Sequence, residues 1–332
     1  MSLRIGINGF GRIGRALARL IIQKGEFELV ALNDPTDVEM SAYLLKYDSV
    51  HKHFTASIHA ENDGLFVNGT KIRYSRSLTL EGADFSGCDI VYDCSGQYTT
   101  TETLQGHLRG EIKKVILSAM PHDDMPVYVF GLSDRAVLQH DIISAGSCST
   151  NALALILDAI EQSCGPIDAG SVTSVHSYTT DQNIVDGKND RGLRNTRAAD
   201  MNIIPVGTGV VRNLDKVMPH LADRLIGFSV RVPVPSVTML DITLSMQKSV
   251  TIDAIKNALE VAAAEQYHGL LELDREAKVS SDFVSGSATV TVATDLTQMT
   301  GKNNVKIIGW FDNESGYANR LYDLISQLKE SF

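Results

Sequence analysis

The sequence predicts an α/β protein of two domains, a doubly wound parallel sheet followed by an α+β domain on a mostly antiparallel sheet. Three observations predict it. Residues 5–34 read as strand, glycine turn, helix and strand. Short continuous apolar runs then recur up to residue 145, as expected of strands buried on both faces. Beyond residue 148 the runs lengthen and alternate, as expected of strands with one buried face. A chain of 332 residues accommodates two ordinary domains. We place them at 1–147 and 148–312, with a helix over 313–332 returning to the first.

The first elements carry a dinucleotide signature. Ile5-Gly6-Ile7-Asn8 is a strand, and Gly9-Phe10-Gly11-Arg12-Ile13-Gly14 opens an amphipathic helix that runs to about Lys24. A second strand, 27–32, ends at Asn33-Asp34, with the acid 20 positions after the last glycine. Gly9 permits the tight turn, Gly11 lets backbone approach a pyrophosphate, and Gly14 lets helix and strand pack closely. The helix N-terminus is the phosphate site. Asp34 accepts from ribose hydroxyls and repels a 2′-phosphate, so NAD is expected over NADP. The unit is of the Rossmann type.

A helix over 37–47 follows, then short antiparallel strands over 56–75 with turns at Asn62-Asp63-Gly64 and Asn68-Gly69. Parallel-type strands are expected at 89–94, 114–118, 127–131 and 142–145, with a helix near 101–109. Ser118 closes one of these strands where a cofactor crevice would lie. Strands over 170–177, 225–233, 237–247, 288–293 and 305–311 build the second sheet, and a helix over 252–266 covers it. The stretch 179–202 is polar, charged and without period, as functional loops are.

Composition narrows the chemistry. The formal net charge of −10 argues against nucleic acid or an anionic membrane as partner. No apolar run reaches the length of a membrane span. The chain enters its first strand at once, without a leader, so cytoplasm is expected. Cys88, Cys94, Cys148 and Cys164 make neither a disulfide framework nor a zinc pattern, and no metal is expected. Cys148 stands apart. It lies between Ser147 and Ser149, ahead of the helical run 152–157, so it sits at a helix N-terminus, where a thiol's pKa is lowered. Thiolate is the nucleophile of carbonyl chemistry. Position alone reads equally well as a half-buried core cysteine. His176 ends a strand and is a candidate base for that thiol. Arg194, Arg197 and Arg231 are candidate anion binders, each equally readable as a structural ion pair. Gly207-Thr208-Gly209 offers further donors.

Over its whole length the chain resembles the phosphorylating glyceraldehyde-3-phosphate dehydrogenases. The stretches that carry the resemblance are 7–15, Asn33-Asp34, Ser147-Cys148-Ser149-Thr150-Asn151, His176-Ser177-Tyr178-Thr179, Asn202-Ile203-Ile204-Pro205, Thr208-Gly209, Arg231-Val232-Pro233, 279–283 and Asp312-Asn313-Glu314. The resemblance implies Cys148 as nucleophile and His176 as its partner. It implies an NAD site lined by Gly9, Gly11, Arg12, Ile13, Gly14, Asp34, Ser118 and Asn313, with Arg76 at its edge. Thr179 and Arg231 would hold the phosphate of a small phosphorylated aldehyde. Ser147, Ser149, Thr150, Arg194, Thr208 and Gly209 would hold the attacking inorganic phosphate. A homotetramer is implied, with 179–202 at a subunit interface. The alternatives are an erythrose-4-phosphate dehydrogenase and a non-catalytic dinucleotide-binding paralogue.

Some positions depart from the family pattern. Ala145-Gly146 replaces the usual Asn-Ala. Ala152 replaces a frequent second cysteine. Lys188 puts a cation toward the adenosine side, against the preference set by Asp34. Ser315 replaces the usual Trp and removes packing surface beside Asn313.

Overall fold

Two compact units make up the chain, residues 1–147 with 318–332, and residues 148–317. The computed structural model describes residues 2–61, 64–207 and 209–331. Among them no helix is long and apolar enough to cross a membrane.

The first unit runs β1 (Arg4–Asn8), α1 (Arg12–Lys24), β2 (Glu28–Asn33), α2 (Val38–Lys46), β3 (Ile58–Glu61), β4 (Gly64–Val67), β5 (Thr70–Ser75), β6 (Ile90–Asp93), α3 (Thr101–Leu104), β7 (Lys114–Leu117) and β8 (Ile142–Ser144). Among the described residues its strands form one eight-stranded sheet, ordered β3-β4-β5-β2-β1-β6-β7-β8. From β5 to β8 all neighbours are parallel, and β3-β4-β5 adds an antiparallel edge. The chain goes from β1 outward to β2, then crosses back to β6 on the other side of β1. Ligand crevices form at such a reversal, beyond the carboxyl ends of the strands.

Helix α1 buries Gly14, Leu17, Ala18 and Ile21, one face at helical spacing. It stops at Gly25, whose φ of +67° lets its N–H return to the Ile21 carbonyl at 3.0 Å. Beneath the sheet Phe85, Val91, Leu104, Val115, Leu117 and Met125 share a core cluster.

The expected strand over 127–131 does not form. Only Val127 bridges to Ser144. Pro126 has no N–H to extend a ladder, and after Val129 the chain turns, with the Ser133 N–H returning to the Val129 carbonyl at 2.9 Å. The expected helix near 101–109 is one turn of α-helix followed by a 3₁₀ turn over Gln105–His107.

The second unit runs α4 (Cys148–Cys164), β9 (Ile167–Ser177), β10 (Ile204–Val206), α5 (Gly209–Arg212), β11 (Leu225–Val232), β12 (Thr238–Met246), α6 (Ile252–Ala264), β13 (Leu271–Asp274), β14 (Val290–Thr300) and β15 (Asn304–Phe311), and then α7 (Ser315–Leu328), which joins the first unit from Ala318. The sheet order is β10-β11-β9-β12-β15-β14-β13, mostly antiparallel. Two pairs are parallel, β11 with β9 and β13 with β14. Strands β10 and β13 are too short to announce themselves by alternation. Helix α4 is buried over most of its length and packs along α6. Its last turn ends at Gly165, at φ +87°, just before Pro166.

Candidate active site

In the first unit a cavity of about 170 Å³ opens beyond the ends of β1, β2 and β6. Asn8, Gly9, Gly11, Asp34, Cys94 and Ser95 are among its lining residues. Gly9 has φ +88°, and a Cβ there would lie 2.5 Å from the Ser95 backbone. A Cβ on Gly14 would lie 2.2 Å from the Gly9 carbonyl oxygen. At Gly11 a Cβ would meet nothing within 4 Å, so this backbone faces open space. Gly11 caps α1 without a side-chain hydrogen bond, so no capping side chain covers the end of the helix where a dinucleotide phosphate would sit. Asp34 accepts from the Phe10 N–H at 2.7 Å and from the Thr36 N–H at 2.9 Å. The carboxylate thereby fixes the glycine turn while its remaining lone pairs line the cavity. These residues fit the pyrophosphate and ribose of a dinucleotide.

Under the cavity lies a buried polar cluster. Asp93 and His107 are fully buried. The Asp93 carboxylate accepts from Asn8 Nδ2 at 2.7 Å, Ser95 N at 3.0 Å, Ser95 Oγ at 2.7 Å and His107 Nε2 at 3.0 Å. Asn33 Nδ2 donates to Asn8 Oδ1 at 2.8 Å. One carboxylate thus ties together the ends of β1 and β6, with β2 joined through Asn8.

In the second unit Cys148 is the first residue of α4, following Gly146 at φ +72°. Its Sγ lies 3.8 Å from Ser149 Oγ. Burial pushes the thiol up, against the pull of Ser149 and of the Arg231 charge. The expected lowering at a helix N-terminus is therefore reversed in this arrangement, because loss of water outweighs those nearby stabilising groups.

His176 and Arg231 are register partners in the parallel pair of β9 and β11. Arg231 Nη1 donates to His176 Nδ1 at 2.6 Å and to the Ser177 carbonyl at 3.0 Å. The same carbonyl is 2.7 Å from His176 Nδ1. Burial, then the Arg231 charge, hold the imidazole down to about 3, against the Ser177 carbonyl. Among the described residues no hydrogen bond joins Cys148 to His176.

The side chain of Asn313 has a set orientation. Its Oδ1 accepts from Ser177 Oγ at 3.0 Å and from the Val237 N–H at 3.0 Å, so the amide must present Nδ2 as its donor. Val237 makes its bond from φ +72°, a strained conformation for a β-branched residue.

The sequence profile described as the NAD binding domain of glyceraldehyde 3-phosphate dehydrogenase matches residues 3–101, and its C-terminal domain profile matches 147–313. The chain is 39% identical to the glyceraldehyde-3-phosphate dehydrogenase of Claviceps purpurea, over all of this chain and 99% of that protein. It is 37% identical to that of Salmonella typhimurium, over 99% of this chain and all of the relative. For glyceraldehyde-3-phosphate dehydrogenase A of Escherichia coli K12 the figure is 36%, with the same coverage. The chain belongs to the glyceraldehyde-3-phosphate dehydrogenase family. It is an NAD-dependent dehydrogenase, and the first unit carries the NAD-binding fold.

Within this family member the predicted site residues divide by unit. Gly9, Gly11 and Asp34 line the cavity, and Gly14 packs beneath it. Arg12 and Ile13 begin α1, and the Arg12 guanidinium bonds Asp48 at 2.5 Å. Arg76 is exposed and reaches the Pro35 carbonyl, 3.3 Å away at the cavity rim. Ser118 follows β7, and its N–H donates to the Asp93 carbonyl at 2.9 Å. Cys148, His176, Arg231, Ser149, buried Thr150 and Asn313 belong to the second unit. Thr179 is taken up by the side-chain Oε1 of Gln182, through its N–H at 2.8 Å and its hydroxyl at 2.9 Å. Arg194 is exposed in a 3₁₀ turn, Gly209 starts α5, and Ser147 is the last residue before α4. Thr208 lies outside the described residues. Lys188 pairs with Asp190 at 3.3 Å on the exposed loop.

Sequence reasoning missed Asp93, Ser95 and His107 below the NAD crevice, and Ser177 and Val237 behind Asn313. The end of β6 carried a usable signal, because strand ends in a doubly wound sheet line the crevice. Val237 carried none, since its strain exists only in the folded backbone.

The depressed imidazole has a consequence for stability. An unfolded histidine titrates near 6.5, whereas folded His176 stays neutral down to about 3. Between those values the unfolded chain holds one more proton, so stability falls as pH drops through that window. Urea denaturation at pH 7 and pH 4.5 is expected to show a loss that shrinks in His176→Gln. Equal losses in both proteins would remove His176 as the cause.

Proposed function

We propose that this chain oxidises glyceraldehyde 3-phosphate, with NAD and inorganic phosphate, to 1,3-bisphosphoglycerate. One observation carries the reading. The second unit sets a thiol at the start of α4 within the field of a partly buried guanidinium, and that guanidinium touches an imidazole. A thiol, a base and an anion site are what thioester formation from a phosphorylated aldehyde requires.

NAD, when bound, supplies the hydride acceptor. Cys148, as thiolate, adds to the aldehyde carbon and gives a hemithioacetal. His176 takes the hydroxyl proton as hydride leaves that carbon, and a thioester to Cys148 remains. A phosphate oxygen then attacks the thioester carbonyl, the C–S bond breaks, and the thiolate returns as the acyl phosphate departs. Arg231 and Thr179 hold the substrate phosphate. Ser147, Ser149, Thr150, Arg194, Thr208 and Gly209 hold the attacking one. The thioester conserves the oxidation energy that attack by water would dissipate.

The reading includes a homotetramer. Ile184, Val185, Leu193 and Met201 are exposed along the 179–202 loop, the apolar surface a neighbouring subunit would cover. Sedimentation is expected to give about four times the 36.1 kDa chain mass.

The test is reduced-nicotinamide formation from glyceraldehyde 3-phosphate, with and without phosphate, using NAD and NADP in parallel, and repeated with erythrose 4-phosphate. Phosphate-dependent turnover of the triose with NAD is the expected result. Faster turnover of the tetrose would move the substrate assignment. Folded protein silent with every pair would favour the non-catalytic paralogue.

A further inference from the structure

We propose that Gln182 is a positioning residue for the substrate phosphate: it anchors Thr179 by its backbone and holds the proton of its hydroxyl until a phosphate takes over as acceptor. The inference rests on the proposed function and adds a residue to the same phosphate site.

The stretch Thr179-Thr180-Asp181-Gln182 has the spacing of a capping box, a hydroxyl residue three positions ahead of a glutamine, yet residues 183–192 form no helix. Half of the box forms. The Gln182 side chain reaches back, and its Oε1 accepts from the Thr179 N–H at 2.8 Å. In a full box the threonine oxygen would accept from the Gln182 N–H. Here that N–H donates to the Thr179 carbonyl at 3.0 Å and closes a tight turn. The hydroxyl is thereby released from capping, and it lies 2.9 Å from Gln182 Oε1.

The proton positions follow from this geometry. A backbone N–H only donates, so the atom it meets is the oxygen of the Gln182 amide and not its nitrogen. An amide oxygen only accepts, so the hydroxyl gives it its single proton. Without ligand, Thr179 therefore offers lone pairs to anything else that approaches its hydroxyl. A phosphate dianion brings acceptors alone, so it gains this hydrogen bond only after the proton has swung away from Gln182. The N–H bond to Gln182 does not depend on that swing. It keeps the threonine in place while the hydroxyl changes partner.

Gln182 is itself held from behind. It is buried, with 8% of its surface exposed. Its Nε2 donates to Asn195 Oδ1 at 3.4 Å, and Asn195 Nδ2 donates to the Arg191 carbonyl at 2.9 Å. The Arg191 guanidinium pairs with Asp181, inside the turn, at 2.6 Å. The hydroxyl that meets the phosphate is thus set by contacts that run out along the loop and return to its own turn. Thr179 touches substrate in this reading, and Gln182 acts through it.

Gln182→Met keeps the length of the side chain and removes its acceptor. Its KM for glyceraldehyde 3-phosphate is expected to rise about tenfold, the scale of one hydrogen bond to a charged group, with kcat within about twofold. Its kcat/KM for unphosphorylated D-glyceraldehyde should stay within about twofold of wild type, since that aldehyde brings no phosphate. In the Thr179→Val background the same replacement should add less than about twofold to the KM of the triose, because the hydroxyl through which Gln182 acts is gone. Equal losses with both aldehydes would make Gln182 a purely structural residue. An unchanged KM for the triose, or the full loss repeated in the Thr179→Val background, would take it out of the phosphate site. Each of these results overturns the proposal.

A second measurement needs no variant. Amide hydrogen exchange of wild type, resolved to single residues by mass spectrometry, should show Thr179 protected both without ligand and with glycerol 3-phosphate, because its N–H bond persists through the swing. A Thr179 amide that exchanges as fast as those of exposed loop residues refutes the anchor. Wild type that neither oxidises glyceraldehyde 3-phosphate nor binds glycerol 3-phosphate sinks the functional reading instead, and leaves the exchange measurement standing.

Discussion

Cys148→Ser is expected to lower phosphate-dependent NAD reduction by about 10⁴-fold or more, the scale on which loss of a covalent nucleophile is felt. A serine hydroxyl gives up its proton far less readily than a thiol. Burial pushes the Cys88 and Cys94 thiols up to about 12, which leaves them unreactive near neutrality. The substitution leaves every residue that lines the NAD crevice in place, so dinucleotide affinity should hold within about twofold. Initial rates with saturating triose, together with NAD titration by fluorescence, separate the two effects. Normal turnover in the serine variant would end the nucleophile assignment.

The resting chemistry of Cys148 bears on the same experiment. Burial raises the Cys148 thiol and lowers the His176 imidazole, so it favours the neutral form of each. Iodoacetamide is expected to label Cys148 ahead of Cys88 and Cys94, whose thiols burial raises to about 12.

Asp93→Ala should be the costliest change in the first unit, about 3–5 kcal/mol, as expected when one partner of a buried polar pair is removed. Four donors converge on that carboxylate, from Asn8, His107, the Ser95 N–H and the Ser95 hydroxyl. Alanine leaves the buried Asn8 and His107 donors unsatisfied, at a desolvation cost for each, and releases the partly buried Ser95. Those residues hold the ends of β1 and β6, whose turns line the crevice, so NAD affinity should fall at least tenfold as well. Asp93→Asn keeps one acceptor but aims an NH₂ at donors, so it should recover only part of either loss. Urea denaturation followed by circular dichroism, with NAD titration on the folded fraction, measures both. A variant as stable as wild type would show that the cluster contributes little.

Much of the first unit could be read from residue order because its information is local. A glycine at φ +88°, a helix start without a cap and an acid ending the next strand lie within 26 residues, and each reports its own backbone requirement. Helix ends were equally local, as Gly25 and Gly165 show. The failed strand at 127–131 shows the limit of this reading. Five residues of strand-like composition form only a bridge, because Pro126 and the turn after Val129 deny them a ladder.

In the second unit the residue types were legible and their relations were not. Composition and motif marked Cys148, His176 and Arg231 as candidates without saying which of them meet. Arg231 lies 55 residues beyond His176 and reaches it only because β11 pairs with β9 in parallel, at a register that opposes these two positions. That pairing follows a long crossover through 178–224, so no local pattern encodes it. Nor could motif reasoning foresee that burial would reverse the expected lowering of the Cys148 thiol, since burial depends on everything packed around α4. By itself the sequence determined the fold class, the NAD-type turn and which side chains are candidates for the chemistry, since these depend on periodicity and on chemistry carried by single residues. Only the tertiary structure decided which side chains are hydrogen-bonded to one another, which amide face Asn313 presents, and which carboxylate anchors the crevice. Those are matters of strand register and of water exclusion, set by contacts between segments distant in the chain.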